Sequence, residues 1–327
     1  MRCLVLVLLS IMPLVARGEI QSAFDPQGID SARIAEISNV MFVGGGLILA
    51  GVVALAAIAL FGTGSLRRSI GRHGFIIAGG IVFPVVVLSA LLVYAMFTSA
   101  ALVRAESPPA LRVEVSGEVW WWRVRYLGKD GHPLVETANE IRIPAGQPVE
   151  LLLRSADVIH SFWVPNLAGK LDMIPGHVNS QRLQADRPGI FRGQCAEYCG
   201  AQHANMAFHV IALAPEEFEA WLAAQTQPAR EPQEELPRRG RAVFLANDCV
   251  KCHTVRGTPA AGRDGPDLTH VGSRASLAAG VLSNSTGAFG GWISASQHIK
   301  PGNKMPSFDR LASEDLRAIA AYMESLQ

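Results

Sequence analysis

Cysteine is scarce in this chain, and none of it is spare. The 327 residues hold five cysteines: Cys3 near the N-terminus, the pair Cys195 and Cys199, and the pair Cys249 and Cys252. Each pair lies in a motif with its own chemical use, so nothing is left for a structural disulfide. Net charge is equally scant. Lys and Arg number 29 against 28 Asp and Glu, a formal +1, which gives no reason to expect nucleic acid or a strongly acidic partner. Charged residues make up only 17% of the chain and hydrophobic ones 49%, with a positive mean hydropathy, which calls for membrane segments. At this length two soluble domains plus additional segments are expected.

The uncharged runs differ in length, and length decides what each can do. Residues 3–16 are apolar behind a single arginine and too short to span a bilayer; they read as the core of a removed signal peptide over 1–18. Residues 19–37 are polar and acidic on balance. Val40–Phe61 and Gly74–Val103 are both long enough to span, and Pro84 is placed to kink the second. Between them, residues 62–73 carry Arg67, Arg68 and Arg72 and no acid, which puts this loop inside. The expected layout over 19–110 is therefore an outside N-terminal segment and a two-helix transmembrane hairpin, with spans at about 40–61 and 75–98.

The pattern then changes period. Leu111-Arg-Val-Glu-Val-Ser, Ile141-Arg-Ile and Val149-Glu-Leu alternate apolar and polar, with turn signals at Gly128-Lys-Asp-Gly131, Pro144-Ala-Gly146 and Pro188-Gly189. Short strands at this spacing predict an antiparallel β-sandwich within a domain over 111–226, closed by a short helix at 215–224. Residues 227–237, with Pro228, Pro232 and Pro237, read as a semi-rigid linker reaching about 35 Å when extended. Residues 238–327 read as an all-α domain with glycine-rich loops. The sandwich carries 10 basic and 13 acidic residues, the helical domain 11 and 7, so opposite net charges favour their docking.

Cys249-Val-Lys-Cys252-His253 is the stronger of the two chemical signals. Two thiols flanking two residues can add to the vinyl groups of one haem, and the adjacent histidine supplies an axial imidazole. A thioredoxin-like site needs a βαβ context, and a zinc ribbon needs a second cysteine pair; both are missing. Met305, in a Pro-rich loop, is the leading candidate for the second axial ligand, with His270 and His298 as weaker alternatives and Met323 read as core.

Cys195-Ala-Glu197-Tyr-Cys199-Gly-Ala-Gln-His203-Ala-Asn-Met206 gathers soft ligands in one loop, and His160 follows a strand upstream. Zinc competes for Cys and His, but the thioether favours copper. A mononuclear blue-copper site uses one cysteine; two thiolates point to a dinuclear centre, with the Glu197 carbonyl as a further donor.

Together with Lys170-Leu-Asp-Met-Ile-Pro-Gly176, these motifs resemble subunit II of haem–copper cytochrome c oxidases. The trailing domain, with Gly265-Pro266 and Met305-Pro306, resembles the fused cytochrome c of caa-type bacterial oxidases. The resemblance implies a cupredoxin-like domain with a CuA centre. Cys195 and Cys199 would bridge two coppers, His160 and Met206 serving one, His203 and the Glu197 carbonyl the other. The Glu197 side chain would face a magnesium ion shared with subunit I. Trp120, in Gly117-Glu-Val-Trp120-Trp121-Trp122, falls where the family takes in electrons, although Glu118-Val119 and Trp121 depart from its usual His-Gln and Tyr. His177 likewise replaces the usual arginine. The implied role is to carry electrons from an external cytochrome c or membrane donor, through haem c and CuA, to haem in subunit I. Implied partners are subunit I, other oxidase subunits and membrane lipid. The implied location is a bacterial inner membrane, multi-pass, with the soluble domains on the periplasmic side. No constellation for reducing oxygen is present, since the histidine nearest the spans is His73 in the basic loop.

Overall fold

A computed structural model describes residues 21–103, 109 and 111–327; the leader expected over 1–18 lies outside them. Helix α1 covers Ile29–Phe61, a short α2 covers Gly64–Ile70, and α3 (His73–Ile77) leads through a π-helical turn at Ala78–Val82 into α4 (Phe83–Val103). Ile29–Phe61 and His73–Ala100 are long and apolar enough to cross a membrane, and none of their apolar stretch is buried within the chain. That exposure separates them from the core helices of a soluble domain. The π-turn has a local cause: Pro84 has no N–H to donate and its ring crowds the preceding turn, and the widened turn relieves both.

Helix α1 starts well before the uncharged run that predicts it. Its first turns carry Asp30, Arg33 and Glu36, and the segment leading into it is sewn to the sandwich. Buried Asn166 takes a hydrogen bond from Ser22 N on its side-chain oxygen (2.9 Å) and donates to Asp25 O (2.9 Å). Its carbonyl accepts from Gln27 N and from Ser31 Oγ at 2.6 Å. Replacing Asn166 by alanine removes the two side-chain bonds in a dry site and should loosen residues 21–28 by about 1–3 kcal/mol. New protease cleavage in that segment, with the sandwich still folded, is the expected readout.

The sandwich holds two five-stranded sheets. Strands β1 (Leu111–Glu118), β2 (Trp121–Leu127), β3 (Pro133–Ala138), β5 (Val149–Ser155) and β8 (Asn179–Leu183) form one, in the order β3-β2-β1-β5-β8. Strands β4 (Glu140–Pro144), β6 (His160–Trp163), β7 (Leu171–Met173), β9 (Gly189–Cys195) and β10 (Ala207–Leu213) form the other, in the order β4-β10-β9-β6-β7. The expectation of an antiparallel sandwich needs correcting. β1 pairs with β5, and β10 with β4, in parallel. The chain changes sheets at Asn139, which takes φ 60° and closes the corner by accepting from Trp122 N and donating to Trp122 O. After the crossing through β4, β5 re-enters the first sheet running the same way as β1. Between the sheets, Phe162 and Phe208 stack at 4.7 Å and Trp122 meets Phe208 at 4.8 Å, each ring contributing about 1.5–3 kcal/mol by burial.

Helix α5 (Pro215–Thr226) lies against the sandwich through Phe218 and Trp221, which meet Tyr126. The segment after it is held along its length. Arg256 donates to Gln225 O and Thr226 O, His270 meets Gln227 O, and Ala229 N donates to Arg256 O. Helix α6 (Glu235–Ala246) begins inside the predicted linker, so the connection is a packed strap with a reach far short of its extended length. The helical domain continues with α7 (Cys249–Cys252), α8 (Thr286–Ile299) and α9 (Ser313–Ser325) around a two-stranded ribbon, β11 (Ser276–Leu277) and β12 (Leu282–Ser283). Phe244 and Tyr322 join α6 to α9 with ring centroids 5.8 Å apart.

Candidate functional site

One end of the sandwich gathers the soft ligands. Cys195 closes β9, Cys199 and His203 follow in the loop, Met206 precedes β10, and His160 opens β6. The two cysteine sulfurs lie 3.7 Å apart. His160 Nδ1 stands 3.8 Å from Cys195 Sγ, and His203 Nδ1 3.6 Å from Cys199 Sγ. The Glu197 carbonyl is 3.2 Å from Cys195 Sγ and Met206 Sδ 3.9 Å from Cys199 Sγ. The sulfurs form the centre, with one imidazole on each side and a weak donor beside each.

Electrostatics agree with a site built for a cation. The hydrogen bond between the thiols draws the Cys195 pKa down and pushes that of Cys199 up, so the pair parts with its first proton readily and its second with difficulty. Burial pushes His160 down, but hydrogen bonds with Asp157 and Cys195 outweigh it and lift its pKa to about 8. Asp157 Oδ1 lies 2.9 Å from His160 Nε2, so that nitrogen carries the proton and Nδ1 faces the sulfurs. This carboxylate has a signal in the sequence, an acid three residues before a ligand histidine. Gly117 completes the seat: a Cβ there would come within 2.7 Å of the His160 ring. The Glu197 carboxylate is half-exposed and 3.9 Å from Lys170.

The helical domain encloses a cavity of about 350 Å³ lined by Cys249, Cys252, His253 and Met305. His253 Nδ1 donates to Pro266 O at 2.8 Å, and burial lowers its pKa, leaving a neutral ring with Nε2 free. Gly265 backs that ring, and a Cβ there would approach it to 2.6 Å. Met305 is fixed through its main chain: its carbonyl accepts from Ser296 Oγ (2.9 Å) and Gln297 Nε2 (2.7 Å), and its N–H donates to Asn303 Oδ1 (2.8 Å). Of the alternatives, His270 and His298 do not line the cavity; buried Met323 does, as part of the wall.

The family model described as cytochrome C oxidase subunit II, periplasmic domain, matches residues 123–213, and the cytochrome c model matches residues 237–327. The chain joins an oxidase subunit II domain to a cytochrome c domain. Similar proteins include cytochrome c oxidase subunit 2 of Alkalihalophilus pseudofirmus, 40% identical over 66% of this chain and 61% of that protein. The subunit 2 of Bacillus subtilis is 31% identical over 67% of this chain and 63% of its own length. The chain thus spans under two thirds of these relatives. A crystal structure of the periplasmic domain of subunit II from Bradyrhizobium japonicum aligns at 29% identity and a TM-score of 0.33, over 37% of this chain and 96% of that one. The subunit II domain implies copper and the cytochrome c domain implies haem c. The residues present fit both: two buried thiols with an imidazole beside each, and a histidine aimed into a cavity walled by two cysteines.

Trp120 belongs to both sites. Trp120 helps line the cytochrome c cavity, together with Val119 and Trp121, and its Nε1 donates to Cys199 O at 2.8 Å. The departure at Glu118 has a use here. Glu118 pairs with buried Arg123 at 2.6 Å, and Arg123 lies 4.7 Å over the Trp121 ring and donates to Arg263 O (2.8 Å) in the cytochrome c domain. Arg142 donates to Ser273 O, and Ala275 N donates to Glu140 Oε2. The docking favoured by opposite charge is realised by different bonds. Across this boundary, among the described residues, most side-chain bonds go to main-chain groups, Ser276 Oγ meets His209 Nδ1 at 3.4 Å, and no ion pair joins the two domains.

Proposed function

We propose that the chain is the electron-accepting subunit of a caa-type haem–copper terminal oxidase. It would take electrons from an external cytochrome c or membrane donor and pass them, via haem c and dinuclear CuA, to haem in subunit I for oxygen reduction. The observation that carries this reading is Trp120, one side chain in the wall of the haem cavity and hydrogen-bonded to the copper loop. When bound, the two groups supply one-electron carriers at low reorganisation cost; the protein's work is to hold them still and dry.

Each residue has a part in that. Cys249 and Cys252 would tether the haem; His253, held by Pro266, and Met305, held by Ser296, Gln297 and Asn303, would hold its iron. Cys195 and Cys199 would hold both coppers through their thiolates, with His160 and Met206 serving one and His203 and the Glu197 carbonyl the other. Asp157 keeps His160 in the ligating tautomer. The Glu197 carboxylate, outward and half-exposed, is the residue for a magnesium ion at the subunit I face. The domain limits we infer are 19–110 for the hairpin, 111–226 for the sandwich domain, 227–237 for the connection, whose last residues already belong to α6, and 238–327 for the cytochrome c domain. Location in a bacterial inner membrane, with both soluble domains on the periplasmic side, accords with the strap that ties residues 21–31 to the sandwich.

Metal and haem analysis of the purified chain tests the reading: about two coppers and one haem per chain are expected. One copper, or none, would overturn the dinuclear site, and oxygen consumption by the isolated chain would overturn the division of labour with subunit I. Replacing Met206 by leucine should leave copper bound through sulfur and nitrogen while shifting its spectrum and potential. An unchanged spectrum and potential would remove Met206 from the ligand set.

A further inference from the structure

Lys300 ends helix α8 and is almost fully buried, 2% exposed, at the boundary between the two domains. An ammonium withdrawn from water needs an acceptor for each of its three protons. Lys300 finds them on three separate segments. Its Nζ donates to Trp120 O at 2.7 Å, to Asn205 O at 2.8 Å and to Ala278 O at 3.1 Å. The first belongs to the residue shared by both cofactor sites. The second lies between His203 and Met206 in the copper loop. The third belongs to the cytochrome c domain itself.

The acceptor loop is shaped for this contact. Ala278 and Ala279 both adopt left-handed backbone, φ 52° and 60°, followed by Gly280 at 79°. Alanine disfavours that region, and two in succession persist only where the surroundings compel them. The turn sends the Ala278 carbonyl to Lys300 and the Ala279 carbonyl to Ala207 N at 3.0 Å, the residue after Met206. On the other side of Lys300, Pro301 O accepts from Gln202 Nε2 at 3.0 Å. A Cβ on Gly302 would touch the Trp120 ring at 3.6 Å, and one on Gly200 would reach it at 3.2 Å. The indole thus lies against both the copper loop and the turn that Lys300 begins.

We propose that Lys300 is a positioning residue that pins the rim of the haem cavity to the copper loop, keeping Trp120 a fixed wall of both sites. This rests on the reading of the two sites as haem and CuA centres. A lysine suits the task because its compact ammonium can serve three carbonyls converging from different directions, whereas the planar fork of arginine cannot. Desolvation lowers the Lys300 pKa, to about 7, as burial among neutral carbonyls requires.

The test uses the full chain loaded with haem and copper, with Lys300→Met and Lys300→Arg beside the unaltered protein. Hydroxyl-radical footprinting reads exposure of the Trp120 ring independently of any activity. Trp120 is expected to be protected in the unaltered chain and labelled roughly fivefold faster in both variants. After flash reduction of the haem, electron arrival at copper should slow by about tenfold or more in both variants and become dependent on solvent viscosity, with both absorption spectra unchanged. Equal labelling and equal rates in Lys300→Met would overturn the proposal. Full rescue by Lys300→Arg would also overturn it, because charge alone would then suffice. Should neither variant fold, a viscosity-dependent rate in the unaltered chain shows domains that part and re-dock, and equally refutes the pin; a viscosity-independent rate there supports it. No electron reaching copper in the unaltered chain, with Trp120 protected, would refute the functional reading and leave the pin standing.

Discussion

Cys199→Ser is expected to abolish the copper centre. In the unaltered chain Cys199 Sγ lies 3.7 Å from Cys195 Sγ, 3.6 Å from His203 Nδ1 and 3.9 Å from Met206 Sδ. It therefore connects the second imidazole and the thioether to the rest of the set. A serine hydroxyl stays protonated at neutral pH and is a hard donor, so it cannot bridge soft metal ions. The loss should exceed the change seen when supporting residues around a metal are altered, so copper affinity should fall by more than about 100-fold. Metal analysis after dialysis and the near-infrared and visible spectra check this. The haem spectrum should be untouched, because Cys249 and Cys252 lie in the other domain. Retention of about two coppers by the variant would place the site elsewhere.

Met305→Ala should leave the haem attached and change what it does. The loop is held by main-chain bonds to Ser296, Gln297 and Asn303, none of which uses the Met305 side chain, so truncation removes the thioether with little else. Loss of that ligand should convert the haem from a low-spin to a largely high-spin spectrum. It should also lower the potential by about 60 mV or more, one tenfold step for a one-electron couple. Spectroelectrochemistry reads both. An unchanged low-spin spectrum would hand the axial position to another residue, and Met323, already in the cavity wall, would be the next to replace.

What could be read from the residues was what chemistry constrains tightly. Two thiols around two residues and a histidine leave few alternatives, and a cluster of two cysteines, a histidine and a methionine leaves few more. Uncharged runs of membrane length are legible for the same reason, since the bilayer sets the length. The N-terminal reach of α1 was not legible. Residues 29–39 are too polar to register as a span, and their helix is nucleated by the strap to Asn166, a long-range contact. The parallel pairings of β1 with β5 and of β4 with β10 were hidden as well, because alternation reports which face is buried and says nothing of the neighbour's direction. The boundary between the domains was misjudged in kind. Counts of charge favour docking through opposite charges, whereas Lys300, Arg123 and Arg142 each reach across the boundary to a carbonyl, and carbonyls have no letter in the sequence.

The position of Trp120 sets the kinetic order of the reaction it serves. Gly200 of the copper loop and Gly302 of the cytochrome c domain both come up against the ring, so the tethered domain occupies ground that a diffusing protein would need. On the proposed route the last transfer before copper would then be unimolecular, insensitive to how much donor surrounds the membrane and to the ionic strength that governs charge-steered encounters. Saturation and salt dependence, when they appear, belong to the outer surface of the cytochrome c domain, and it is there that a donor's identity would be decided.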